Sequence, residues 1–241
     1  ALVFETGADR WRRFDAWPPP VNERRLFVGP DGALGFEAPN DAGHEEFVSD
    51  PDHPVPYTQE ITTRWARSYM TEDQRFAARR PDVVTWRSEV LTEDVTIAGP
   101  ITAELFVSTD QRDADWVVKL IDEHPGEVDV EEEGPGGRME LVRGEILRGR
   151  FRNSYEEPEP FEPGQVTRVD VPLQDVLHTF QRGHRIVVQV QSSWFPFFDR
   201  NPQSWVENVF EAEAEDFVAA THRVYFGGPE GTSLRVGVLE P

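Results

Sequence analysis

Apolar residues in this chain alternate with polar ones over short runs, and glycine and proline clusters cut the runs apart before any could become a long helix. Leu26-Phe27-Val28 and Ala33-Leu34-Gly35-Phe36 flank Gly29-Pro30-Asp31-Gly32, a hairpin-type turn. Ile101, Ala103, Leu105 and Val107 alternate with Thr102, Glu104 and Phe106. Trp116, Val118 and Leu120 alternate with Val117, Lys119 and Ile121, and Ile186, Val188 and Val190 share one face of a strand over 184–191. Met139–Arg150, Val166–Val171, His222–Phe226 and Leu234–Leu239 add four more strands. A period of two puts each apolar set on one face of a sheet, which must be covered by a second sheet. The expected fold is all-β, a sandwich or barrel with long loops and one or two short helices. Strands do not alternate with long helices, which excludes a doubly wound parallel sheet. Thr71 and Gln74 have capping-box spacing and would open a helix over Glu72–Arg80 that Pro81 stops. One or two further turns are expected over Gln174–Phe180.

The first eighty residues are less regular. Trp17-Pro18-Pro19-Pro20 is stiff and extended, and Pro51, Pro54 and Pro56 interrupt Asp50–Tyr57. Residues 1–80 therefore read as a loop-rich segment wrapping a main sandwich formed by 81–241. The acidic, glycine-rich stretch Glu127–Gly137, with Glu131-Glu132-Glu133, reads as an exposed loop. The chain opens on Ala-Leu-Val-Phe-Glu-Thr-Gly without an initiating Met, a basic n-region or an apolar h-region, so its start looks like that of a fragment and not a signal peptide.

A net charge of −21 over 241 residues argues against nucleic-acid binding and against docking on anionic lipid, both of which need a basic surface. No apolar run approaches the roughly 18 residues of a membrane-spanning helix. The absence of cysteine removes disulfides, Cys-ligated zinc and thiol nucleophiles, and leaves the compartment open. Lys119 is the sole lysine among 24 basic residues. Arginine preference beside an acid excess fits either GC-rich coding or a surface adapted to high salt.

Catalytic chemistry is hard to place. A serine hydrolase of the α/β type needs a Gly-x-Ser-x-Gly elbow, and none occurs. Ser192 and Ser193 follow a strand but run into Trp194-Phe195, so they read as strand-end hydroxyls satisfied by backbone. None of the six histidines has His-x-x-x-His or His-Glu-x-x-His spacing, so neither a zinc site nor any other cofactor is expected. His178 and His184 flank a turn and can meet in space; a hydrogen-bonded structural role is expected for each. Asp110, Asp113 and Asp115 alternate loosely before a strand, which suits calcium chemically, but without a loop glycine or bidentate acid they read as a solvated acidic turn. An inward-pointing Lys119 needs a carboxylate such as Asp115 or Asp122, since an unpaired buried charge is costly; a solvated, outward Lys119 is equally compatible.

Trp194-Phe195-Pro196-Phe197-Phe198-Asp199-Arg200-Asn201-Pro202 puts four aromatics in five positions after a buried-looking strand. Its prolines and polar residues favour a surface loop over a core plug, and an aromatic surface loop is normally covered by another domain, subunit or ligand. Trp11, Phe14 and Trp17 invite the same argument more weakly. Trp194, Trp205 and Trp11 also suit a carbohydrate-binding platform, provided their rings are exposed.

Asp9-Arg10-Trp11-Arg12 with Asp15-Ala16-Trp17-Pro18-Pro19 resembles the opening of the C-terminal domain of the X-Pro dipeptidyl-peptidase-like hydrolases, a group that includes α-amino-acid ester hydrolases, glutaryl-cephalosporin acylases and cocaine esterase. Matching segments follow in order: Asp73–Ala77, Arg80–Val83, Leu91–Val95, Ala98–Pro100, Asp113–Trp116, Val118–Asp122, Arg148–Ser154, Gly183–Ile186 and Ser192–Pro196. The resemblance spans almost the whole chain and is strongest to the ester hydrolase and glutaryl acylase branch. It implies a single jelly-roll domain, galactose-binding-domain-like, over 1–241. It also implies partner domains in the parent chain, an α/β-hydrolase domain carrying Ser, Asp and His and a helical cap, with no catalytic residue here. Trp194, Phe195, Phe197, Phe198, Asp199 and Arg200, with Trp11 and Trp17, become candidates for facing that cleft or the domain interface. A homo-oligomer through the same aromatics is the remaining partner reading.

Overall fold

The structure, a computed structural model, describes residues 1–126 and 136–240; most of the acidic stretch 127–137, including Glu131–Glu133, lies outside the described residues. Strands β1 (Leu2–Glu5) and β2 (Arg10–Arg13) form a hairpin. They are followed by β3 (Asn22–Val28), β4 (Leu34–Gly35) and β5 (Gly43–Ser49), then a single α-turn, α1 (Arg75–Ala78). The remaining strands are β6 (Val83–Arg87), β7 (Val95–Thr109), β8 (Asp115–Glu123), β9 (Met139–Arg148), β10 (Thr167–Phe180), β11 (Arg185–Gln191), β12 (Ala220–Phe226) and β13 (Ser233–Leu239). The large sheet runs β4-β3-β13-β7-β12-β5, with β10 also paired to β7 off this path, and the small sheet runs β6-β11-β8-β9. Every strand pair is antiparallel.

The alternation builds the core directly. Ile101, Ala103, Leu105 and Val107 of β7 meet Trp116, Val118 and Leu120 of β8 and Ile186, Val188 and Val190 of β11 in one buried cluster between the sheets. Trp86 joins them with its Nε1–H donated to the Gly29 carbonyl at 3.2 Å. The Gly29–Gly32 turn links β3 to β4 as expected, with Asp31 and Gly32 both at positive φ. The first eighty residues thus supply three strands of the large sheet, while residues 55–80 lie across the outer face of the small one.

That second cover explains why β8 is buried on both faces. Its outward residues pack under the irregular segment: Val117 with Tyr57, Ala66 and Trp194, and Ile121 with Met139 and Ala78. Val55, Ala77 and Val83 close the adjoining corner. The Gln74 N–H donates to the Met139 carbonyl at 2.9 Å, tying the cover to β9.

Two local expectations are overturned. The helix over Glu72–Arg80 shrinks to four residues, and the capping box is absent: Thr71 Oγ1 donates to the Ser68 carbonyl, and Gln74 turns inward. No helical turn forms over Gln174–Phe180, which continues β10 past a bulge at Pro172/Asp175 with Gln174 at φ 66°. The bulge adds one residue, so the buried positions Leu173 and Val176 fall three apart and mimic a helical period.

Candidate docking face

The Trp194 loop leaves β11 and lies on the outer face of the small sheet, not at its end. Its backbone is pinned to the covering segment: the Phe195 N–H donates to the Val55 carbonyl and the Tyr57 N–H to the Phe195 carbonyl, both at 2.9 Å. Ser193 Oγ accepts the Val55 N–H at 2.8 Å, whereas Ser192 Oγ is buried with no hydrogen-bond partner among the described residues. Only Ser193 therefore fits the expectation of a backbone-satisfied hydroxyl.

Trp194 is 3% exposed. It packs edge-on to Tyr69 (5.8 Å between centroids) and Phe197 (5.1 Å), and its tip sits over Gly144, where a Cβ would approach to 3.0 Å. A ring buried in this way offers no platform for a sugar. Trp205 is half-buried under the Arg150 guanidinium, 4.5 Å from its centroid. Phe197 and Phe198 are half-buried and 4.6 Å apart, and Trp65 meets Phe197 at 4.8 Å. Trp65 (55%) and Phe195 (37%) are exposed, and Ile61, earlier in the covering segment, is fully exposed. Between Trp65 and Phe195 runs a groove of about 440 Å³ lined by Pro54, Pro56, Tyr57, Trp65, Phe195 and Pro196. Tyr57 holds its rim through a hydroxyl oxygen that accepts the Ala66 N–H at 2.8 Å.

Lys119 lies beneath this face, fully buried. It pairs with neither Asp115 nor Asp122. Asp122 projects from the opposite face of β8, and Asp115, on the same face, lies four residues or roughly 13 Å along the strand. The ammonium instead donates to Gln74 Oε1 at 3.0 Å and sits 5.2 Å from the Trp194 ring and 5.9 Å from Phe76. Burial pulls its pKa down to about 7, opposed by the charge of Glu72.

The far end of the loop is anchored by charge. Asn201 Nδ2 donates to Asp115 Oδ1 at 2.7 Å, and Arg148 bridges Asp115 (3.2 Å) and Asp199 (3.4 Å). Arg150 pairs with buried Asp113 at 2.7 Å. Asp113 and Asp115 are thus buried ion-pair members, which replaces the expected solvated turn, and Asp110 alone stays exposed, accepting the Thr221 N–H. Burial pushes Asp115 up to about 6 against the pull of Arg148. Arg200 donates to the Pro51 carbonyl at 2.8 Å and covers Phe217.

Trp11 and Trp17 do not join this cluster. Trp11, 66% exposed, packs on Phe4 at 5.3 Å, and Trp17 donates to Asp175 Oδ2 at 2.6 Å beside β10. They lie by a separate groove of about 290 Å³ that includes Phe4, Arg143 and Val176. Conversely, Tyr57, Ile61, Trp65 and Tyr69 escaped sequence reasoning, because they sit in an aperiodic segment. Their only signal was aromatic density near three prolines.

The cocaine esterase of Rhodococcus sp. (strain MB1 Bresler) is 31% identical over 241 residues, covering 96% of this chain and 40% of that protein. Among solved structures, an α-amino acid ester hydrolase superposes with a TM-score of 0.95 at 39% identity, covering 99% of this chain and 41% of the other. An aminopeptidase from a marine sediment archaeon (Thaumarchaeota archaeon) gives 0.93 at 43%, covering 99% and 40%. The chain therefore spans about two-fifths of the length of the relatives it matches. The family model for the X-Pro dipeptidyl-peptidase C-terminal non-catalytic domain matches residues 2–235. In keeping with its β-sandwich and its lack of a nucleophile elbow, this chain belongs to that family of non-catalytic domains.

Proposed function

We propose that the chain, acting as one unit over residues 1–241, stabilises an α/β-hydrolase domain and its helical cap and forms one wall of their active-site cleft. The parent would cleave esters or amides through an acyl-enzyme, with its Ser, His and Asp supplied outside this chain. The observation that carries this reading is the aromatic face of Trp65, Phe195, Phe197 and Phe198, which share a groove or direct ring contacts. Exposed apolar residues gathered in one place mark a contact surface, whereas scattered ones do not. The face is also anchored: it rests on the buried Lys119–Gln74 contact on one side and on the Arg148–Asp115–Asn201 network on the other. A preformed surface loses little conformational entropy on docking. Asp199 and Arg200 place one acid and one base at its rim, where they would fix orientation.

The test has two parts. The chain alone should not hydrolyse p-nitrophenyl acetate above buffer, and stoichiometric labelling by a serine-reactive probe would overturn the assignment. In a polypeptide that also carries the hydrolase domain, Trp65→Ser with Phe195→Ser should lower the thermal stability of the whole by clearly more than it lowers that of the isolated chain, and equal losses in both would count against the reading.

A further inference from the structure

At the end of the small sheet, remote from the aromatic face, the register gathers metal-binding side chains that no local motif joins. Asp122 of β8 lies directly opposite Glu140 of β9. Arg185 pairs with Glu123, which puts His184 beside His124 one step further along. Asp122 and His124, two residues apart, project from the same face of the strand. Backbone bonds fix both histidines: the His124 N–H donates to the Arg138 carbonyl at 2.9 Å, and the His184 carbonyl accepts the Leu91 N–H at 2.9 Å.

We propose that Asp122, His124 and His184 bind a borderline divalent cation of the zinc class, with Glu140 completing a four-coordinate site. Each of the three places a ligand atom within 4.8 Å of the other two. His184 Nδ1 already lies 2.8 Å from Asp122 Oδ1, and the His124 and His184 rings lie 4.7 Å apart, tilted by 36°. Ligands about 2.0–2.1 Å from a tetrahedral ion stand roughly 3.3 Å apart, so side-chain rotation suffices to close the set. His124 Nε2 is also 3.3 Å from Glu140 Oε2, which brings a further carboxylate next to one of the three ligands. Two imidazoles with two carboxylates favour zinc, nickel or cobalt over magnesium or calcium, which prefer all-oxygen sets.

The surroundings supply the outer contacts such a site needs. His178, from β10 of the facing sheet, contacts Asp122 Oδ2 through Nε2 at 3.1 Å, and its Nδ1 contacts Thr6 Oγ1 at 2.8 Å. The ion would therefore join three strands of the small sheet directly and the large sheet through Asp122 and His178. Asp122 is buried while His124 and Glu140 are partly exposed, which leaves an entry path. Metal binding would displace the proton shared by His184 and Asp122. This proposal does not depend on the docking assignment.

The experiment is calorimetry of the EDTA-treated 241-residue chain with zinc chloride at pH 7.5, with magnesium chloride present to occupy weak acidic sites. One zinc per chain is expected. His124→Ala and His184→Ala should each weaken binding ten- to a hundredfold, and the zinc-induced rise in Tm should vanish with them. Cobalt in place of zinc should give the intense visible bands of a tetrahedral histidine site in the wild type but not in His124→Ala. His124 is partly exposed, so His124→Ala keeps the fold if His184→Ala does not. Zinc binding that is equal in wild type and His124→Ala, or no stoichiometric binding, overturns the proposal.

Discussion

The ammonium of Lys119 lies 5.2 Å from the ring of Trp194, and both side chains are buried on the face of the small sheet that points away from the sandwich core. Gly144, on the neighbouring strand, leaves the space that the Trp194 tip fills. A strand, a covering segment and a loop thus meet at one buried cation, and the exposed aromatics stand on that foundation.

Lys119 makes stability depend on pH. Its folded pKa of about 7 lies below its ordinary value of 10.5, so between these limits the unfolded chain holds more protons. Stability therefore rises with pH across that window; the cost of the buried ammonium is fully present below pH 7 and gone above 10.5. The unfolding free energy from urea titrations should climb from pH 6.5 to 9 in the wild type relative to Lys119→Met, by a few kcal/mol in total. Parallel profiles for the two proteins would contradict the buried-cation account.

Arg148 is predicted to matter most near neutral pH. Arg148→Met leaves Asp115 buried without its ion-pair partner, so that it takes up a proton at pH 7, which should cost about 1–2 kcal/mol. Asp115 already has a folded pKa of about 6, above its ordinary 3.8, and in the variant it loses the guanidinium that opposes this rise, which lifts it further. The folded variant then binds more protons than the unfolded chain at mildly acidic pH, so the deficit should shrink at pH 5. Denaturation of Arg148→Met at both pH values checks this, and Asp115→Asn in the same background should restore part of the loss at pH 7.

Much of the sandwich was legible because period-two runs such as Ile101–Val107 and Trp116–Ile121 state both strand and face. The bulge in β10 was not, since one inserted residue turned a strand period into a helical one between Leu173 and Val176. Trp194 stood out by composition, but its burial follows from Gly144 and the segment over 55–80, and no local pattern encodes that contact. The same holds for Lys119: parity along β8 excludes Asp122, yet only the fold brings in Gln74, a neutral partner from 45 residues away. The proximity of His178 and His184 was anticipated from the intervening turn. Asp122, which joins them, carries no such signal: in the sequence it is only one of two carboxylates open to an inward Lys119.

The fit of Trp194 over Gly144 predicts strong coupling between the two positions. Gly144→Ala brings a methyl within 3.0 Å of the ring tip and should cost about 1–3 kcal/mol. In a Trp194→Phe background the same substitution should cost much less, because the shorter ring does not reach the new methyl. A double-mutant cycle by chemical denaturation should yield an interaction energy of at least about 0.5 kcal/mol; additivity would show that the contact carries no weight.

The most direct measurement on the docking assignment is oxidative footprinting of Trp65 and Phe195 in this chain alone and in a polypeptide that also carries the hydrolase domain. Tyr155 and Phe210, exposed elsewhere on the surface, serve as internal standards. The account predicts that both face residues are modified readily in the isolated chain and protected severalfold in the longer polypeptide, with the standards unchanged. Equal modification of Trp65 and Phe195 in both would contradict it.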